Sequence, residues 1–274
     1  MRGEFLDIGG ARLYYYAAGT RGAGDPVVFV HGFPTSGHLW NELVPLMPAG
    51  HRLVVVDLLG YGRSDRPLNR PVDIRAHAAR ILGLLDELRI RRACIVGHGI
   101  GGGVAQSVAI RARDRVSHLC LVDSVAFSRW LPFVARVTRA TLPFVGLLPP
   151  TLVVGMLRRR LRQSYEDADR AARSLDFYLR PFSDAPGHDA LLTHLRSLDT
   201  TETAELEPEL ASIAIPTAIV WGQHDGILPL SIGRRLQAMI PGASLDVIPG
   251  GRHFTPEEAP RVIADVIADL LRRA

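Results

Sequence analysis

Four short stretches carry residues that could do chemistry together. His31-Gly32-Phe33-Pro34 follows the apolar run VVFV, and VGHGIGGG at 96–103 ends another such run. Asp225 lies in WGQHDGILPL, and His253 lies in PGGRHFTPEEAP. An apolar strand, a glycine-flanked tip and then a helical pattern (VAQSVAIRA) form the context of a nucleophile elbow, a turn that projects one side chain at a sheet edge. The tip residue here is Gly99, so the elbow carries no attacking atom. A carboxylate at Asp225 would hold one tautomer of His253 and stabilise its protonated form, which suits His253 to act as a general base. The backbone N–H groups of Phe33 and Ile100 would form an oxyanion hole. The helix that follows the tip points its own N–H groups at the same place.

These residues need a scaffold, and the pattern of apolar runs supplies one. Short β-branched runs at 27–30, 53–56, 94–96, 118–122, 217–221 and 245–248 alternate with helix-length patterns such as 74–88 and 262–271. Strands buried on both faces that alternate with helices predict an α/β fold with a mostly parallel sheet covered on both sides. The opening segments 5–8 and 13–16, around Gly9-Gly10, predict an antiparallel hairpin at the sheet edge. Alternation stops between 124 and 211, a helix-rich stretch with prolines at 132, 143, 149, 150, 181 and 186. The expected division is a core of 1–124 and 212–274, with a helical cap at 125–211 over the crevice where such sheets bind ligands. The stretch 141–157, TLPFVGLLPPTLVVGML, reads as a lid over a greasy pocket, with a membrane-surface or partner-binding patch as the alternative. Its length is at the bottom of the transmembrane range and Pro149-Pro150 interrupts it, which tells against a span.

Composition narrows the function classes. The chain has 274 residues, 47% of them hydrophobic and 22% charged, enough for a sizeable core. The net charge is +4, and every basic residue is Arg. No basic stripe interleaved with aromatics is present, so a nucleic-acid partner is not expected. Cys94 and Cys120 sit in apolar strands and read as buried thiols rather than a disulfide. The N-terminal residues lack the pattern of a secretory signal, so a cytoplasmic location is expected. No cysteine–histidine ligand cluster and no phosphate loop occurs, so no metal or organic cofactor is expected.

Over nearly its whole length the sequence resembles the α/β-hydrolase superfamily. HGFPTSGHLW and LLGYGRSDRP resemble the haloalkane dehalogenase and epoxide hydrolase branch in particular. The resemblance implies the cap domain, the oxyanion groups at Phe33 and Ile100, and the acid and base at Asp225 and His253. Some family members carry the acid one strand earlier, which makes Asp123 the rival. The branch normally has Asp at the elbow tip, and esterases and C–C hydrolases have Ser. Dehalogenases usually follow the tip with a halide-binding Trp, where this chain has Ile100. Epoxide hydrolases use cap tyrosines as proton donors, which makes Tyr165 and Tyr178 candidates for substrate contact, although nothing in the sequence aims either one and a packing role suits each better. His98 and Ser36 are further candidates, with loop hydrogen bonding and helix capping as their competing roles.

Gly99 therefore admits three readings: catalysis without a protein nucleophile, a nucleophile-disabled variant of an epoxide hydrolase or esterase-like hydrolase, or a ligand-binding pseudoenzyme. The expected function is a small-molecule enzyme of hydrolase or lyase/cyclase type acting on an apolar substrate. It would use His253 and Asp225 but no covalent intermediate.

Overall fold

A computed structural model describes residues 3–20, 22, 24–128, 130 and 140–273. Eight strands form one sheet in the order β1-β2-β4-β3-β5-β6-β7-β8. β1 (Glu4–Asp7) and β2 (Arg12–Gly19) make the antiparallel edge, joined by a turn in which Gly9 and Gly10 both take positive φ. From β4 (Arg52–Val56) and β3 (Val27–Val30) the sheet runs parallel through β5 (Ala93–Gly99), β6 (Val116–Ser124), β7 (Thr217–Gly222) and β8 (Ser244–Ile248). All four residues of β3 are fully buried, so both faces of the sheet are covered there, as its unbroken run of Val and Phe requires. The fold is α/β.

Helices fill the crossovers. α1 (Ile74–Glu87) starts where the Asp73 carboxylate accepts the Ala76 N–H, satisfying one of the orphan donors of the first turn. α2 (Ile100–Arg111) follows β5 directly and packs on α1 and on the sheet. Cys94 and Cys120 lie on the adjacent strands β5 and β6 as free, buried thiols, and burial pushes Cys120 up to about 12.

Between β6 and β7 the chain leaves the sheet. The described part of this excursion comprises α3 (Leu142–Val145), α4 (Pro150–Arg162), α5 (Ala168–Leu179), α6 (Ala185–Ser197) and α7 (Thr201–Leu206). Pro132 and the rest of 131–139 lie outside the described residues. The Asp167 and Asp184 carboxylates cap α5 and α6, and Pro150 opens α4 at a position where its missing N–H costs nothing. The apolar stretch 141–157 is thereby split into two helices. No helix among the described residues is long and apolar enough to cross a membrane. The chain then returns through β7, α8 (Leu230–Met239), β8, α9 (Thr255–Glu258) and α10 (Pro260–Leu271).

Candidate functional site

The elbow is defined by how closely its backbone meets its neighbours. A Cβ at Gly97 would come within 2.3 Å of the Gly101 carbonyl oxygen. One at Gly101 would come within 2.3 Å of the Val30 oxygen and 2.5 Å of the His31 oxygen. Glycine is forced at both positions, because real Cβ atoms do not approach backbone so closely. Gly99 is different. Its φ of 56° and ψ of −122° favour glycine, but the space beside it is open. A Cβ built there meets only Gly32 Cα at 3.5 Å and His253 Nε2 at 3.9 Å, ordinary contact distances. The tip thus has room for a side chain, and that side chain would face the histidine ring.

His253 lies in the loop after β8, buried and held from three sides. Its Nδ1 is 2.7 Å from Asp225 Oδ2. A carboxylate only accepts, so Nδ1 carries the proton and Nε2 is left as the acceptor facing Gly99. The His253 N–H donates to the Ser164 carbonyl at 3.1 Å, and its own carbonyl accepts from His98 Nε2 at 2.9 Å. Asp225 is fixed in turn, since its Oδ1 accepts the N–H groups of Ile227 at 2.7 Å and Leu228 at 2.9 Å. The pair sits 0% and 5% exposed at the side chains, away from competing water.

The loop after β3 is oriented through its carbonyl. Gly32 O accepts from Thr35 N, Thr35 Oγ1 and His31 Nδ1, each at 2.9 Å. The Phe33 N–H lies on the opposite edge of that planar peptide, so these bonds turn it away from the loop interior. His31 is locked in one tautomer because its Nε2 accepts the Leu58 N–H at 3.0 Å, and burial lowers it to about 4, keeping it neutral. The Ile100 N–H opens α2 and has no acceptor within its own helix.

Phe33, Gly99, Ile100 and His253 line one end of a cavity of about 360 Å³. Val125, Trp130, Ile227 and Leu228 also line it, and the excursion helices add Val145, Val153, Met156, Leu157, Leu161, Leu191 and Leu195 together with the charged Arg160. This arrangement can take a proton at Nε2 and meet developing negative charge with backbone donors, inside a mainly aliphatic enclosure that Arg160 also lines.

A family model described as alpha/beta hydrolase fold matches residues 25–260. The chain belongs to the alpha/beta hydrolase family. It is 30% identical over 255 residues to 2-hydroxy-6-oxononadienedioate/2-hydroxy-6-oxononatrienedioate hydrolase 2 of Pseudomonas putida, covering 90% of this chain and 88% of that protein. It is 27% identical to the uncharacterized hydrolase YugF of Bacillus subtilis, covering 97% of this chain and 96% of that one. A crystal structure of an alpha/beta hydrolase fold protein from Burkholderia ambifaria superposes with a TM-score of 0.88 at 26% identity, covering 97% of both chains.

Within this hydrolase fold, the remaining sequence candidates fall into separate places. Asp123, the rival acid, does not meet His253. Its Oδ1 accepts the Gly222 N–H at 2.8 Å, its Oδ2 accepts the Thr255 hydroxyl, and burial beside Asp225 pushes its carboxyl well up. It clamps the ends of β6, β7 and α9 together. Tyr165 and Tyr178, candidates for substrate contact, do not line this cavity. Tyr165 stacks on Phe254 at 4.2 Å, and Tyr178 donates its hydroxyl to buried Glu257. Burial and the nearby Glu257 push both phenols up, which makes them poorer proton donors. Ser36 is also displaced from the cavity. Its hydroxyl accepts the His38 N–H at 3.4 Å, and it faces a different cleft, shared with Tyr178. His98 is buried behind His253 rather than in the cavity wall. The stretch 141–157, expected over a greasy pocket, supplies Val145, Val153, Met156 and Leu157 to this lining, whereas Leu161, Leu191 and Leu195 were not singled out in the sequence. The spacing of Val153, Leu157 and Leu161 on one face of α4 was the available signal for Leu161.

Proposed function

We propose that the chain is a cofactor-independent enzyme of hydrolase or lyase/cyclase type, acting on an apolar small molecule without a covalent protein intermediate. One observation carries this reading: a side chain fits beside Gly99 at ordinary contact distances, on the wall of the cavity, and His253 Nε2 borders that place. A water, or an oxygen of the substrate itself, fits where a nucleophile's side chain would stand. His253 takes its proton at Nε2, and Asp225 stabilises the imidazolium through Nδ1. The Phe33 and Ile100 N–H groups meet the oxyanion that forms, and His253 then returns the proton to the departing group. The base contributes about 10²–10⁴-fold and each oxyanion donor about 10²–10³-fold. The helices between β6 and β7 act as the cap that excludes water, and their aliphatic lining selects an apolar substrate.

The same observation favours a second reading, a hydrolase whose nucleophile has been replaced. A serine hydroxyl at 99 would lie within reach of Nε2, so the rest of the machinery would serve it unchanged.

Turnover of aryl esters, epoxides and apolar β-diketones by the parent chain and its His253→Ala variant tests the first reading. Product that disappears with His253→Ala supports it, and product that persists overturns the role of His253. Gly99→Ser tests the second. Gain of ester hydrolysis with labelling by a fluorophosphonate, in a parent that turns over nothing, would identify a disabled hydrolase.

A further inference from the structure

We propose that the face formed by α3 and α4 docks on an anionic lipid surface, with the mouth of the cavity against the bilayer. Large apolar side chains on this face stand in solvent: Phe144 is 73% exposed, Leu147 82%, Met156 60% and Leu152 49%. They belong to one patch. Val145 of α3 and Val153, Met156 and Leu157 of α4 line the same cavity, and Met156 is both exposed and part of that lining, so the exposed face and the cavity meet there. A monomer rarely leaves such a cluster uncovered without a use for it.

Charge selects the occupant. Leu152, Met156 and Arg159 are exposed at i, i+4 and i+7 on one stripe of α4, and Arg162 continues it. Arg159 and Arg162 have no acidic partner among the described residues, whereas Arg158 pairs with Asp176 at 3.0 Å. Apolar side chains that end in unpaired guanidinium groups match the boundary between acyl chains and anionic headgroups. A protein partner of ordinary composition would not need both. The inference does not depend on what happens at Gly99. It gives an apolar substrate a route from bilayer to cavity without crossing water.

Co-sedimentation of the full chain with vesicles tests the docking, using phosphatidylcholine alone or an equal mixture with phosphatidylglycerol. Binding to the mixed vesicles, weakened by salt, is expected. Phe144→Ser/Leu147→Ser and Arg159→Glu/Arg162→Glu should each lower it by about 10-fold or more, with the circular dichroism spectrum unchanged. These positions are exposed, so folding is not at stake. Absence of binding to the mixed vesicles, equal binding to the neutral ones, or binding that survives both double variants would overturn the proposal. So would sedimentation of the free protein as a dimer that Phe144→Ser/Leu147→Ser dissociates, since the patch would then be covered by a second copy.

Discussion

At the carboxyl edge of the sheet, polar bonds hold the groups that face Gly99, whereas the helices between β6 and β7 meet the same cavity with aliphatic side chains. Asp225 accepts from two backbone N–H groups and from His253, and Gly32 O accepts from Thr35 and His31. Each bond has a direction, so the edge has essentially one low-energy arrangement. Val153, Leu157, Leu191 and Leu195 contribute area and volume without direction. One link joins the two regions at the site itself, the Ser164 carbonyl on the His253 N–H. The contrast teaches a division of labour. Directional bonds fix the groups that face Gly99, and apolar packing shapes the cavity beside them.

The largest test of that division is His253→Ala, which should cut turnover by about 10²–10⁴-fold with little change in KM. A variant that mainly raised KM would place His253 among the shaping residues instead. Next come the elbow glycines. Gly101→Ala must push a Cβ into the Val30 and His31 carbonyls and should cost about 3 kcal/mol or more in urea unfolding. Gly99→Ala meets only ordinary contacts and should cost the backbone strain of its positive φ, about 1–3 kcal/mol. Equal costs would mean that the tip is as crowded as its flanks.

A pH test probes the covering helices. His194 of α6 stacks on Tyr61 at 3.9 Å, donates from Nε2 to the Gly60 carbonyl at 3.1 Å, and burial lowers it to about 4. Between its ordinary value and about 4, the unfolded chain takes up a proton that the folded chain refuses. Its contribution is therefore complete at neutral pH and is lost as pH falls through that window. Buried carboxyls such as Asp57 and Glu257, pushed up by desolvation, act in the opposite sense, so a variant is needed to isolate the effect. Stability of the parent should fall more steeply than that of His194→Gln between pH 6.5 and pH 4, by at most about 1.4 kcal/mol per pH unit. Parallel curves would show that His194 is not held neutral. The smallest effect is expected from Leu195→Ala at the half-buried cavity wall, which should raise KM for an apolar substrate by about 10-fold and leave kcat nearly unchanged. An equal loss in kcat would give the aliphatic wall a share in positioning.

The α/β alternation, the edge hairpin around Gly9-Gly10, the elbow and the loops carrying Asp225 and His253 were legible in the chain. Each rests on local rules: β-branched runs buried on both faces, glycines where φ is positive or backbone crowds, and polar residues just past strand ends. Other features were decided only by packing between distant segments. Asp123 and Asp225 both follow strands, and only the fold turns one toward His253 and the other toward Thr255. Tyr165 and Tyr178 lie in the right segment for substrate contact, yet α5 and the turn before it direct them to Phe254 and Glu257. The sequence by itself determined that Gly99 brings no attacking atom. Only the tertiary structure decided that the place of that atom stays open, because the groups that border it come from Gly32 and His253, far apart in the chain and joined by the sheet.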